Sequence, residues 1–290
     1  MIQVIIKRAE HIGFCSGVDR AIALSEDVLK KTQPLYVTGD LVHNAVVMDD
    51  LSKKGLKAID LPDLPENSTV MIQAHGASPE LMQELRIRGN ELVDGTCPIV
   101  KKSFDICQKC SQSSYQLIVL GQSKHPEMMA LKGIVKDALI LNDLDDLKRN
   151  INENHRLNQT NIALCAQTTK PLKEFSEFSA YLTTQLKQFQ HLIVYNTICD
   201  ATIHREVEIK SLASHNDCVI VVGGVKSSNT RKLYDIAKAR NINSHLVHSL
   251  SDLEEIKRNI FQSETCVIAS GTSTPMTQVE AVENYITSEM

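Results

Sequence analysis

Three cysteines stand apart from the other five by their surroundings and by the residues downstream of them. Cys15 lies in GFCSGVDR, Cys97 in GTCPIVK and Cys199 in NTICDATIHR, each between a strand-like run and a helix-like one. Twenty-eight residues beyond each comes a polar position that opens another helix: His43, His125 and Ser227. A spacing that recurs three times points to three copies of one unit, each offering a sulfur and a loop suited to anions. At a helix start the dipole and the spare backbone N–H groups stabilise thiolate. Three thiolates on one centre can hold an iron–sulfur cluster and leave one iron without a cysteine. With a histidine as fourth ligand, the same three could hold zinc.

The remaining cysteines read differently. Cys165, Cys218 and Cys266 fall inside apolar strand runs and are expected to pack as small buried hydrophobes. Cys107 and Cys110 form a C-x-x-C, the pattern of half a zinc site or a redox pair. They sit in the helix-like stretch after Pro98, near the face of Val100 and Phe104, and no second C-x-x-C exists. Packing is the expected role.

The polar loops supply a second set of groups. His43 (LVHNA), His75 (AHGAS) and His125 (KHPE) each follow a strand-like run and precede a helix. Ser227, Ser228 and Asn229 take the matching place in the third unit, and Ser273 stands in its last loop. Imidazole, hydroxyl and amide donors at helix starts describe a site for phosphate. His11, His155, His191, His215, His245 and His248 lack such placement and are expected at ordinary surface or loop positions. Glu127, two residues after His125, could relay protons together with that histidine and a hydroxyl such as Thr168, which makes all three candidate catalytic residues. It could equally be a first-turn glutamate that complements the helix dipole.

These residues need a scaffold, and the chain alternates strand and helix. Apolar runs occur at 4–7, 34–38, 69–75, 117–121, 161–167, 192–196, 218–223 and 266–270, with amphipathic stretches such as Val18 to Lys31 between them. That alternation predicts an α/β fold with parallel sheets covered by helices. The repeat divides the chain into units of 1–96, 97–195 and 196–290, each with one of the three cysteines. The loops AHGASPE (74–80), AQTTKPL (166–172) and SGTSTPM (270–276) each place Ser or Thr before a Pro or Lys–Pro pair, which predicts an N-cap followed by Pro in the first turn.

Composition narrows the function. The formal charge is −4, from 31 basic and 35 acidic residues, and no basic block is present, which argues against nucleic acid as a partner. The longest apolar runs, such as CVIVV (218–222), are strand-length, so no membrane span is expected. The opening MIQVIIKRAEHIGFCSG has no signal-peptide layout. Eight scattered cysteines without a secretory signal then favour reduced thiols or metal ligands in a cytoplasmic protein.

Taken together, GFCSGVDRA, VHN, AHGAS, DGTCP, HPE, QTT, the third cysteine loop and SSN resemble the 4-hydroxy-3-methylbut-2-enyl diphosphate reductase family of the methylerythritol phosphate route to isoprenoids. The matches run in order from Cys15 to Ser273. The resemblance implies three α/β domains around a pseudo-threefold axis, with an oxygen-sensitive 4Fe–4S cluster at the centre. Its cluster ligands fall on Cys15, Cys97 and Cys199, leaving one iron open, and a three-iron form is expected where that iron is lost. Its diphosphate contacts fall on His43, His75, His125, Ser227, Ser228, Asn229 and Ser273. Its proton-delivery residue falls on Glu127, and Thr168 holds the hydroxymethyl end of the substrate. The implied reaction is reductive dehydroxylation of an allylic diphosphate to isopentenyl and dimethylallyl diphosphates, with ferredoxin or flavodoxin supplying electrons.

The chain departs from the family pattern after the third cysteine. Ala201, Thr202 and Arg205 match, while His204 and Glu206 replace Asn and Gln; elsewhere Ala166 stands in place of Thr and Thr272 in place of Ala. Two other functions compete with the reductase. One is an iron–sulfur protein that binds or senses diphosphate without turnover, and the other is a zinc-supported structural protein.

Overall fold

The fold is a computed structural model that describes residues 4–153, 161–187 and 190–289. His155, expected at the surface, lies outside the described residues. Among the described residues twelve strands run as β1 (Ile5–Arg8), β2 (Leu35–Thr38), β3 (Leu56–Ile59), β4 (Thr69–Ile72), β5 (Glu91–Asp94), β6 (Gln116–Leu120), β7 (Leu139–Leu141), β8 (Ile162–Ala166), β9 (Leu192–Val194), β10 (Cys218–Val222), β11 (Ser244–Val247) and β12 (Thr265–Ser270). The helices between and after them are α1 (Ser16–Leu29), α2 (Ala45–Lys53), α3 (Pro79–Ile87), α4 (Pro98–Gln112), α5 (Pro126–Ile134), α6 (Leu144–Glu153), α7 (Leu172–Gln185), α8 (Asp200–His215), α9 (Ser228–Lys238), α10 (Ser251–Phe261) and α11 (Met276–Ser288).

The strands form three four-stranded sheets, in the orders β5-β4-β2-β3, β9-β8-β6-β7 and β1-β12-β10-β11. These orders are equivalent: two inner strands, an outer strand beside the first of them, and an edge strand that leads to one of the three cysteines. In the third sheet that edge strand is the first strand of the chain. β1, which the sequence pattern assigns to a unit of residues 1–96, pairs in parallel with β12, Ile5 opposite Thr265 and Arg8 opposite Ile268. The repeat is thus shifted by one strand relative to the order of the cysteines.

The chain divides into two compact units. One comprises Met1–Glu26, Asp40–Leu56 and Asp200–Met290 and holds the β1-β12-β10-β11 sheet; the other comprises Asp27–Gly39 and Lys57–Cys199.

In the first unit, β10 and β12 are continuous apolar runs, as a parallel sheet covered on both faces requires. Cys218, Ile220, Val222, Cys266 and Ile268 face α10 and α11 through Leu253, Ile260, Val279, Val282 and Ile286. Val219, Val221, Val267 and Ala269 face α8 and α9 through Ile209, Ala213, Leu233 and Ala237. Each Val, Leu or Ile among them contributes about 1.5–3 kcal/mol by leaving water. The alternation along β10 and β12 therefore fixes which helix covers which face.

In the second unit, Leu117, Val119, Ala163 and Cys165 pack on α4 and α5. Cys107 and Cys110 lie in that core beside Val100 and Phe104, the packing role expected of them. Around β4 a smaller core joins Val70 and Ile72 to Leu64 and Leu85. No described helix is long and apolar enough to cross a membrane.

The expected caps hold at one of the three closing loops. Ser78 caps α3, accepting from Leu81 N–H at 3.1 Å, with Pro79 in the first turn. At the other two, Pro171 and Pro275 are themselves the N-caps of α7 and α11, without a side-chain cap bond. Thr274, next to Pro275, instead donates its hydroxyl to Val222 O at 3.1 Å.

Candidate active site

Cys15, Cys97 and Cys199 occupy one local environment repeated three times. Cys97 is the N-cap of α4, and Cys15 and Cys199 immediately precede α1 and α8. Each backbone N–H is tethered to the polar loop after the neighbouring strand of its own sheet. Cys97 N–H bonds Ala74 O at 3.0 Å, Cys199 N–H bonds Thr168 O at 2.9 Å, and Cys15 N–H bonds Thr272 O at 3.0 Å. All three are half-buried thiols, whereas Cys107, Cys110, Cys165, Cys218 and Cys266 are buried.

In the unit that contains α5, the sequence-predicted groups converge. His125 caps α5, its Nδ1 accepting from Glu127 N–H at 3.2 Å. With Nδ1 as acceptor, the ring proton is on Nε2, which leaves that nitrogen as the donor. The ring of His75 meets that of His125 edge-on, with centroids 5.1 Å apart. The chain turns at Gly76 with φ +81°, where a Cβ would lie 2.9 Å from Phe104, so only glycine fits.

Glu127 is 1% exposed. Thr168 N–H donates to its Oε1 at 2.8 Å, and Thr168 Oγ–H donates to its Oε2 at 2.7 Å. Burial pushes the carboxyl up to about 7, while the two Thr168 bonds hold it from going higher. The proton is therefore available near neutral pH. Because Thr168 O also receives the Cys199 amide, one residue links the carboxyl to a cysteine loop.

In the unit that contains α9, Ser227 caps that helix, its Oγ accepting from Thr230 N–H at 3.2 Å. Ser228 is exposed at the first helical position. Asn229 is buried, and among the described residues its Nδ2 meets no acceptor. The His43 loop lies against this region. Ser273 Oγ donates to His43 O at 3.5 Å, and a Cβ on Gly224 would sit 2.2 Å from that oxygen. Burial pushes the His43 imidazole pKa down; Asp40 opposes this and Lys226 adds to it.

Some positions went unread in the sequence. Asn44 caps α2, accepting from Val46 and Val47 N–H, and its Nδ2 donates to Gln278 Oε1 at 3.0 Å, which anchors the His43 loop to α11. The residue type before AVVM was the available signal. His11, expected to be unremarkable, shares a 2.9 Å bond between its Nδ1 and Glu208 Oε2.

Residues 6–287 match the LytB protein family. The chain belongs to that family. Relatives of the LytB chain span it almost end to end. The 4-hydroxy-3-methylbut-2-enyl diphosphate reductase of Pseudothermotoga lettingae is 35% identical over 281 residues, covering 96% of each chain. That of Aquifex aeolicus is 32% identical over 292 residues, covering 99% of this chain and 96% of its own. A solved structure of (E)-4-hydroxy-3-methyl-but-2-enyl diphosphate reductase, the terminal enzyme of the non-mevalonate pathway, covers 99% of this chain and 100% of its own, with TM-score 0.74 and 31% identity. The structure of E-1-hydroxy-2-methyl-but-2-enyl-4-diphosphate reductase from Plasmodium falciparum covers 98% and 88%, with TM-score 0.89 and 28% identity.

The two residues after the third cysteine that are expected to differ from the family have visible settings. Glu206 is buried and forms an ion pair with Lys232 of α9. A carboxylate taken out of water needs such a partner. His204 is exposed on α8, its ring centroid 5.0 Å from that of His11.

Proposed function

We propose that this LytB-family chain is a 4-hydroxy-3-methylbut-2-enyl diphosphate reductase. It takes two electrons and two protons, breaks the allylic C–O bond, and releases water with isopentenyl or dimethylallyl diphosphate. The observation that carries the reading is the buried Glu127 carboxyl, held near neutrality and bonded twice by Thr168. An acid able to protonate a departing hydroxyl is what this reaction needs. Thr168 positions that acid and meets the hydroxymethyl end of the substrate.

At the other end of the substrate, His43, His75, His125, Ser227, Ser228, Asn229 and Ser273 bind the diphosphate. The Nε2–H donor of His125 and the unmet Nδ2 of Asn229 support that role. Gripping the diphosphate orients the remote C–O bond. A 4Fe–4S cluster on Cys15, Cys97 and Cys199, with one iron free of cysteine, supplies Lewis acidity and single electrons when bound. Three half-buried thiols, each at a helix start with its amide tethered, suit that group chemically. Ferredoxin or flavodoxin is the proposed donor, and the cytoplasm, where thiols stay reduced, is the proposed compartment. The proposed domains are 1–96, 97–195 and 196–290, with β1 completing the sheet of the third.

The test is turnover of anaerobically reconstituted protein with dithionite and the allylic diphosphate. Both product diphosphates should form. Full iron and sulfide loading without product would replace the reductase with a binding or sensing protein. Zinc without iron or sulfide would leave only a structural role. Cys15→Ser, Cys97→Ser and Cys199→Ser should each lower bound iron, and Cys110→Ser should not.

A further inference from the structure

Beyond the ends of β1 and β12 the two segments leave their ladder, and α8 holds them. Glu208 accepts the backbone N–H groups of Glu10 and His11, the latter at 2.9 Å. One turn earlier, buried Arg205 donates from Nη2 to Gly13 O at 2.8 Å and from Nη1 to Ser270 O at 2.7 Å. An acid thus takes the donors of the segment before Cys15, and a base takes its acceptor. Ser270 closes the arrangement from the other side, its Oγ accepting from Gly13 N–H at 2.9 Å. Gly13 has φ +81°, and Met276 Sδ lies 2.9 Å from where its Cβ would be, so this turn has little freedom. Two residues further along both segments, Cys15 N–H reaches Thr272 O.

A guanidinium is a planar fork that can serve two acceptors at once, whereas an ammonium is a point charge on a flexible stem. Arg205 uses the fork on carbonyls from two different segments. One segment leads to Cys15, and the other to Ser273, whose hydroxyl bonds the His43 carbonyl. The guanidinium thereby ties the two segments together from a third element, α8.

We propose that Arg205 is a positioning residue that sets the Cys15 loop and the Ser273 loop in one register, with Glu208 fixing the approach to Cys15. Metal retention at Cys15 and phosphate binding at Ser273 are then linked through α8. The roles of Cys15 and Ser273 rest on the proposed reductase function.

The test uses anaerobically reconstituted protein as wild type, Arg205→Met, Arg205→Lys, Ser273→Ala and the Arg205→Met/Ser273→Ala double variant. Two quantities are measured: the rate of iron loss to a chelator, and the Kd for inorganic pyrophosphate by calorimetry. Arg205→Met should lose iron faster and bind pyrophosphate about tenfold more weakly, the scale of one charge-assisted hydrogen bond. The double variant should bind little more weakly than the weaker single variant, because both changes act on one loop. Arg205→Lys should fall between wild type and Arg205→Met. Additive affinity losses, or wild-type iron retention and affinity in Arg205→Met, would overturn the proposal. If Arg205→Met does not fold, Arg205→Lys and Glu208→Gln carry the test. Among the described residues Glu208 bonds the Cys15 segment and not the Ser273 segment, so its variant should speed iron loss more than it weakens pyrophosphate, and the reverse order would overturn the proposal. A wild-type protein that bound neither iron nor pyrophosphate would bring down the reductase reading and this inference with it.

Discussion

Replacing Glu127 with glutamine separates its work as an acid from its place in the packing. Thr168 donates an N–H to one carboxyl oxygen and an O–H to the other. Glutamine keeps one oxygen for the N–H, and the Thr168 hydroxyl can rotate to accept from the new amide. The variant therefore mimics the protonated acid. Burial raises the carboxyl from 4.5 to about 7, so ionising it in the folded protein costs about 3 kcal/mol relative to the unfolded chain. The sign comes from the proton count. Between those two values the folded state holds more protons than the unfolded one, so stability from this group falls as pH rises. The cost is absent well below 4.5 and complete above about 7. Urea unfolding of metal-free Glu127→Gln and wild type, compared at steps from about pH 4.5 to about pH 8, cancels the other titrating groups. The variant should match wild type at the acid end and gain about 3 kcal/mol on it at the alkaline end. In reconstituted protein its turnover should fall by about 10²–10⁴-fold. Wild-type turnover should itself decline as pH rises past about 7, because the donor form empties. A stability difference that stays constant with pH would refute the burial argument. Undiminished turnover would refute the assignment of the acid.

Other substitutions probe the same framework. Thr168→Val removes one of the bonds that restrain the Glu127 carboxyl, so the alkaline limb of the turnover profile should move to higher pH; movement to lower pH would contradict the assigned cause. His125→Ala should cost about 1 kcal/mol in thermal stability through the lost cap and should also weaken pyrophosphate binding. His125→Asn should restore the cap and leave binding weak, and recovery of both would remove the imidazole from the phosphate site. Lys232→Met strands the buried Glu206 carboxylate and should cost about 3–5 kcal/mol. Adding Glu206→Gln should return most of that in urea unfolding, and simple additivity would mean the ion pair is not the cause.

Much of the candidate site was legible because its chemistry is local. A cysteine before a helix, a histidine or serine at a cap, and a glutamate in a first turn are all written within a few residues of themselves. The inner strands were legible too, since runs such as CVIVV and IALCA have no polar interruption. The strands that went unnamed, β3, β5, β7 and β11, all lie at sheet edges. β3, β5 and β11 mix polar and apolar residues, with only Leu56 buried in LKAI, and β7 is apolar but three residues long. Their strand state comes from pairing with a neighbour rather than from composition. The membership of β1 was invisible for a related reason, because nothing in IIKR names a partner near the far end of the chain. Pro275 caps its helix one position later than the Thr–Pro pattern predicts, and Pro171 two positions later than the Thr–Lys–Pro pattern predicts. Thr274 resembles a cap, but its hydroxyl is taken by the acceptor at Val222. Arg205 could be seen in the sequence, yet the two carbonyls it serves are set only by the fold.

The β1–β12 pairing also orders events during synthesis. Ile5 emerges from the ribosome about 260 residues before its partner Thr265, a delay of roughly tens of seconds at ordinary translation speeds. The sheets that lead to Cys97 and Cys199 draw all their strands from nearby stretches and can close while the chain is still growing. The loop of Cys15 must wait for Thr272 before its amide is held. The first of the three sulfurs to be made is the last to be put in place.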